Sequence, residues 1–216
     1  RTFKQAVSSM GKKHQDKNVL RTQQDLPMSV LLILIAAIVI LIWLIPTFPV
    51  NPIGSLIIVI FGFFFASVSS RMVGLIGSSN NPVSGMAIAT IIIATVLLKV
   101  TGTDGVTGMV GAIAIGGVIC IIAAIAGDTS QDLKTGFIVG ATPKKQQIGE
   151  MIGVVVSAAA IGGVLYLLNE AWGYGTDQIP AAQATMMKML VEGIMEANLP
   201  WALILIGVCI AIVVEI

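Results

Sequence analysis

Long apolar runs alternate with short polar ones along the chain, and the apolar runs carry no charge. None occurs from Leu26 to Ser70, and the same holds for Met72 to Leu98, Gly105 to Gly127, Met151 to Asn169 and Ala197 to Val214. A helix of about 18 residues rises roughly 27 Å, close to the hydrocarbon thickness of a bilayer. One such run suits a buried core helix, but a series of them predicts membrane spans. The pattern places these at about Met28–Ile45, Ile53–Ser70, Val83–Leu98, Gly108–Ala126, Ile148–Leu168 and Trp201–Ile216. The expected fold is all-α, a polytopic transmembrane helical bundle with about six spans and with broken or re-entrant helices.

The punctuation between the runs has physical causes. Pro46, Pro49 and Pro52 end the first span and start the second, because proline lacks a donor and disfavours helix just before it. Thr101-Gly102-Thr103-Asp104-Gly105 reads as a tight turn between the third and fourth spans. Pro180 to Asn198 reads as an amphipathic helix, with Met186, Met187, Met189 and Leu190 set against Lys188, Glu192 and Glu196. It could act as a lid over a pathway or simply cover the bundle.

Composition agrees with this reading. Hydrophobic residues make up 56% of the 216 positions and charged residues 11%, where a soluble domain carries roughly a quarter. Mean hydropathy is +0.97. Lys and Arg sort by loop rather than forming a patch, which argues against nucleic acid as a partner. With the N-terminus placed in the cytoplasm, the inside loops hold Arg1, Lys4, Lys12, Lys13, Lys17, Arg21, Arg71, Lys134, Lys144 and Lys145. The outside loops hold Lys99 and Lys188, so the bias is 10 to 2. Residues 1–27 are then a basic cytoplasmic segment and 28–216 a bundle portion. Within that portion, 127–147 form a cytoplasmic loop and 169–200 an external amphipathic segment. Trp43, Trp172, Trp201, Tyr166 and Tyr174 fall at or beyond the outer helix ends, where an apolar ring with a polar edge is favoured. The chain starts at Arg1 and stops within the last span, so it is expected to be part of a longer protein in the plasma membrane.

Small residues recur every four positions at Gly108, Ala112 and Gly116, and again at Gly149, Gly153 and Ser157. Such spacing lets backbones approach closely where no hydrophobic effect drives helices together. Cys120 and Cys209 sit within apolar runs and read as packing residues. His14 stands alone in a polar segment, and no metal site can be built from it. No phosphate-binding loop, nucleophile elbow or zinc-protease helix is present, so neither enzyme chemistry nor a cofactor is expected.

Two polar interruptions carry candidate chemistry. The first runs from Gly74 to Gly85 and contains Ser78, Ser79, Asn80, Asn81 and Pro82. It is either a generous loop between two spans or a broken, re-entrant helix. The lack of Lys or Arg after Arg71 favours the second. Non-helical backbone at membrane depth persists where it is buried in protein or lines a wet cavity, and transporters aim such breaks at solute or ion. Neutral donors and acceptors at Ser78, Ser79, Asn80 and Asn81 suit solute contact, with Pro82 starting the next half-helix and Gly85 just inside it.

The second interruption is Gly127 to Gly136, followed by Ala141 to Gln147. Asp128 and Asp132 are four apart and would share a helix face, from which they could bind a cation or relay protons. Asp128 also fits an N-cap, with Gln131 completing a capping-box pattern, and Asp132 fits a solvated loop face. Glu150, near the start of the fifth span, is stabilised there by the helix dipole.

Asp128-Thr129-Ser130-Gln131-Asp132-Leu133-Lys134-Thr135-Gly136, with Gly140-Ala141-Thr142-Pro143-Lys144-Lys145-Gln146-Gln147 beyond it, resembles the signature of the prokaryotic branch of the oligopeptide transporter family. Ser79-Asn80-Asn81-Pro82-Val83-Ser84-Gly85-Met86 and Pro180-Ala181-Ala182-Gln183-Ala184-Thr185 resemble two further stretches of it. The resemblance covers essentially the whole chain, which corresponds to an interior-to-late portion of the longer family members. It implies proton-coupled symport of small peptides or, as in the related yellow-stripe-like branch, of metal chelates. It also implies that both interruptions lie near the translocation route. The resulting expectation is a secondary active transporter working by alternating access. Asp128, Asp132 and Glu150 are its candidate proton or ion carriers; Ser78, Ser79, Asn80, Asn81, Pro82 and Gly85 are its solute contacts. Its partners are the solute, protons, the lipid bilayer and the remainder of the transporter. The alternative is a non-transporting membrane scaffold or accessory subunit, in which these residues merely face water.

Overall fold

The computed structural model describes residues 20–46, 48–103, 105–199 and 201–215. His14 and the basic residues of segment 1–19 lie outside them, as does Asp104 of the expected turn. A short 3-10 turn at Arg21–Gln23 precedes seven α-helices: α1 Met28–Leu44, α2 Pro52–Ile76, α3 Val83–Val100, α4 Gly105–Val139, α5 Pro143–Ala171, α6 Ala182–Met195 and α7 Trp201–Glu215. No strand occurs among the described residues. The first five helices are long and apolar enough to cross a membrane, α1 counted with the residues leading into it from Arg21; α7 is apolar but shorter.

The helix ends follow local chemistry. Ile45 is extended, at φ −82° and ψ 112°, as the residue before Pro46 must be to avoid the proline ring. Asn51 caps α2 by accepting the Gly54 N–H at 2.8 Å, and Pro52 occupies the first helical position, where no donor is needed. The same Asn51 donates to Thr103 Oγ1 at 3.2 Å, tying the start of α2 to the turn between α3 and α4. Gly77 ends α2 in the left-handed region, at φ 75°.

Helices α2, α3 and α4 form the packed centre. Gly54 meets Ile115, Gly62 meets Ile122, and Gly74 meets Ser130, so α2 and α4 run in the same direction. Gly111 approaches Leu98 and Gly116 approaches Ile91, so α3 runs the opposite way. Ile57, Ile58, Ile91, Ala94, Leu98, Ala112 and Ile115 close the core between them. The expected packing stripe on α4 is buried as predicted. At Gly116 an added Cβ would stand 2.2 Å from Ile91 Cγ1, so the approach of α3 requires glycine there. The second stripe behaves differently: Gly149 and Gly153 have nothing within 4 Å, and Ser157 is exposed. Helices α1 and α5 are apolar yet unburied within their spans, an arrangement that hydrocarbon or further protein favours and water does not.

Helix α6 packs across the start of α4 and the end of α3. Val191 is fully buried, with Met187, Leu190 and Met195 against the core, and Lys99 Nζ donates to Ile194 O at 2.9 Å. A cation at a helix C-terminus complements the carbonyls exposed there. The amphipathic segment thus covers the bundle.

Two expectations need correction. Residues 127–139 of the expected inside loop are helical, since α4 runs unbroken to Val139. Asp128 therefore lies inside a helix and is not an N-cap. The polar residues mark where apolar surroundings end, but no proline follows them until Pro143, and the backbone ladder continues.

Candidate functional site

Residues 77–82 separate α2 from α3, and Asn81 among them lies beside the middle of α4. Ser78, Ser79, Asn80, Pro82 and Gly85 are exposed, whereas Asn81 is turned inward. Its Nδ2 donates to Ala123 O at 3.0 Å and to Ser69 Oγ, and Ser69 Oγ donates to the same Ala123 carbonyl at 2.5 Å. Gly127 makes room for this knot: a Cβ there would come within 3.0 Å of Asn81 Nδ2 and 3.2 Å of Ser69 Oγ. Below it, Ser130 Oγ donates to Ser70 O at 2.8 Å, and Lys134 Nζ reaches Gly74 O at 3.4 Å. The expected solute contacts therefore divide into an outward group and one residue that binds the break to α4.

Gly127, Ser130 and Lys134 occupy the α4 face toward α2. Thr129, Asp132 and Gly136 are offset from them by two residues, about 200° around the helix, and face α5. Thr129 and Asp132 are both close enough to Glu150 to act on its carboxyl group, Thr129 through its hydroxyl and Asp132 through its charge. Gln146 lies flat on Gly136, where a Cβ would stand 2.1 Å from its Oε1, and its Nε2 donates to Asp132 O at 3.1 Å. An open cavity of about 300 Å³ remains, lined by Asp132, Thr135, Gly136, Gln146, Gly149 and Glu150 among others. Oε1 of Gln146 and Oε1 of Glu150 are buried and have no hydrogen-bond partner. Asp128, a turn before Asp132, is exposed and does not line the cavity. Of the three expected carriers, Asp132 and Glu150 are thus brought together and Asp128 stands apart. No group of three or more His, Cys, Asp or Glu side chains able to hold a metal occurs among the described residues.

A strap before α1 braces the corner between α4 and α5. Arg21 Nη2 donates to Gly140 O at 3.0 Å, Leu26 N to Gln147 Oε1 at 3.0 Å, and Lys144 N to Gln24 O at 2.8 Å. The adjacent glutamines therefore have separate tasks: Gln147 holds the strap and Gln146 holds α4. Neither role was read from the sequence, although Gln146 and Glu150 lie i and i+4 from a helix start marked by Pro143.

The whole chain, residues 1–216, matches the family model described as OPT oligopeptide transporter protein. It is 32% identical over 226 aligned residues to a Haemophilus influenzae protein named as an oligopeptide transporter; the match covers 90% of this chain and 36% of that protein. A shorter stretch of 100 residues is 33% identical to an Arabidopsis thaliana protein named as the metal-nicotianamine transporter YSL5, covering 43% of this chain and 14% of that one. No solved structure matches the chain.

Proposed function

Since the chain belongs to the OPT oligopeptide transporter family, we propose that the full-length protein is a secondary active transporter. It moves oligopeptides or metal chelates by alternating access and couples that movement to protons. Both solute classes enter through the names of the two relatives, and the chain spans only about a third of the length of the first.

The observation that carries the coupling is the meeting of Asp132 and Glu150 across the α4–α5 corner beside an open cavity. Two carboxyl groups lining one cavity and acting on each other through their charges, one with a buried and unpartnered oxygen, form a site that a proton stabilises. The Thr129 hydroxyl lies close enough to act on the same carboxyl group. Asp128, exposed a turn away, stands outside that pair. The exposed Ser78, Ser79, Asn80, Pro82 and Gly85 meet the solute, because neutral donors and acceptors recognise peptide amides and carboxylates without a fixed charge. Helix α4 contacts both regions, which gives solute and proton a shared mechanical element. The sorting of Lys and Arg supports a cytoplasmic N-terminal segment in a plasma membrane.

The test is uptake by the full-length protein in proteoliposomes, with and without an inward proton gradient. Short peptides and ferric chelates would be offered side by side. Gradient-driven accumulation of either is expected. Folded protein that accumulates neither would overturn the reading in favour of a scaffold.

A further inference from the structure

We propose that Gln146 is a positioning residue for the proton carrier, its amide oxygen accepting the proton that Glu150 carries in the loaded state. This rests on the coupling reading above and extends it to a residue that touches no solute.

Gln146 and Glu150 are four apart on α5, so their side chains share a face, and both line the same cavity. The amide cannot turn over freely. Its Nε2 donates to Asp132 O at 3.1 Å, and its flat surface fills the space left by Gly136. Oε1 is the amide atom nearest Gly136, buried and without a donor. The unpartnered Oε1 of Glu150 is in the same condition. While Glu150 is ionised the two cannot satisfy each other, because an amide oxygen and a carboxylate oxygen both only accept. One proton resolves both. The carboxylate takes it from water, an O–H bond forms, and that O–H donates to Gln146 Oε1. On release the O–H bond breaks and the proton returns to water.

Charged groups on the neighbouring elements are Asp128, Asp132 and Lys134 on α4, Arg21 and Asp25 on the strap, and Lys144 and Lys145 in the first turn of α5. Of these, Asp132 acts directly on Glu150. Its effect on Glu150 is therefore to be separated from that of Gln146.

The experiment measures uptake against pH in proteoliposomes for the full-length protein, Gln146→Leu and Gly136→Ala, with sodium present or replaced by choline. The infrared carbonyl stretch of a protonated carboxylic acid is followed in parallel. Loss of the acceptor removes a bond that favours the neutral acid. The midpoint of the pH profile in Gln146→Leu is expected to move by about one unit toward acid, and the infrared band should shift. Gly136→Ala displaces the amide without deleting it and should move both readouts the same way, which keeps the test valid if Gln146→Leu fails to fold. A wild-type pH profile retained in both variants, with only a uniform loss of rate, would overturn the proposal and leave the coupling reading intact. Wild-type uptake indifferent to pH, or dependent on sodium instead, would overturn the coupling reading itself. An Asp132→Asn control that moves the midpoint while leaving the Gln146-dependent band in place separates the two side chains.

Discussion

Asn81 and Ser69 converge on one acceptor, the backbone carbonyl of Ala123, at 3.0 and 2.5 Å. Ala123 and Ser69 are fully buried, so the knot joins the break to the middle of α4 away from solvent.

Removing either donor should therefore cost stability. Asn81→Ala is expected to lower the unfolding free energy by about 1–3 kcal/mol, and Ser69→Ala by a similar amount, because each leaves buried polar groups unpaired. Thermal unfolding in detergent would read this as a lower Tm. The exposed Ser79→Ala should leave Tm unchanged, and an equal fall in all three variants would contradict the inward placement of Asn81.

Accessibility separates the same residues. With Cys120 and Cys209 replaced by Ser, Ser79→Cys should react with a water-soluble maleimide at least about tenfold faster than Asn81→Cys, in keeping with the dependence of thiol reactivity on exposure. If the break contacts the solute, substrate should protect position 79. Comparable labelling rates would show that Asn81 also faces water.

Close packing of α3 on α4 gives a coupled pair. Gly116→Ala should destabilise by about 1–3 kcal/mol, since the new methyl overlaps Ile91. Ile91→Ala opens space at that point, so the double variant should lose less than the sum of the single ones. A double-mutant cycle on unfolding midpoints measures the difference, and strict additivity would contradict the contact.

The acidic residues should separate by role. In the full-length protein, Asp132→Asn and Glu150→Gln are each expected to reduce gradient-driven accumulation at least about tenfold while sparing solute exchange, on the ground that both acids line the cavity assigned to coupling. Asp128→Asn, altering an exposed group outside the cavity, should stay within about twofold of wild type. Uphill uptake that survives Asp132→Asn would remove that residue from the coupling site.

Much of the helical layout was legible in the sequence because prolines and lost apolar runs have local causes. Met28 and Val83 begin helices where expected, and α1 ends one residue before the expected Ile45. The length of α4 was not legible, because polarity at Asp128 reports a change of surroundings and says nothing about whether the backbone ladder stops. The inward turn of Asn81 was equally hidden, since its acceptor lies 42 residues away. Asp132 and Glu150 were each found by type, but their meeting depends on the turn at Gly140–Thr142, with Gly140 at φ 74°. The i, i+4 relation of Gln146 to Glu150 is visible in the sequence, but an amide carries no charge that marks it as a partner of the carboxyl group.

The 35 residues of α4 make a rod about 52 Å long, well beyond the roughly 30 Å of a bilayer's hydrocarbon. Its glycine-lined half is held between α2 and α3, and the carboxylate Asp132 rides near its far end. Tilted together with α2, which accompanies it as far as Lys134, such a rod would act as a lever: about 10° at the first turn carries the opposite tip through roughly 9 Å, more than a whole helical turn of travel. Small adjustments among close-packed backbones would thus arrive at the acidic corner as displacements large enough to remake its contacts.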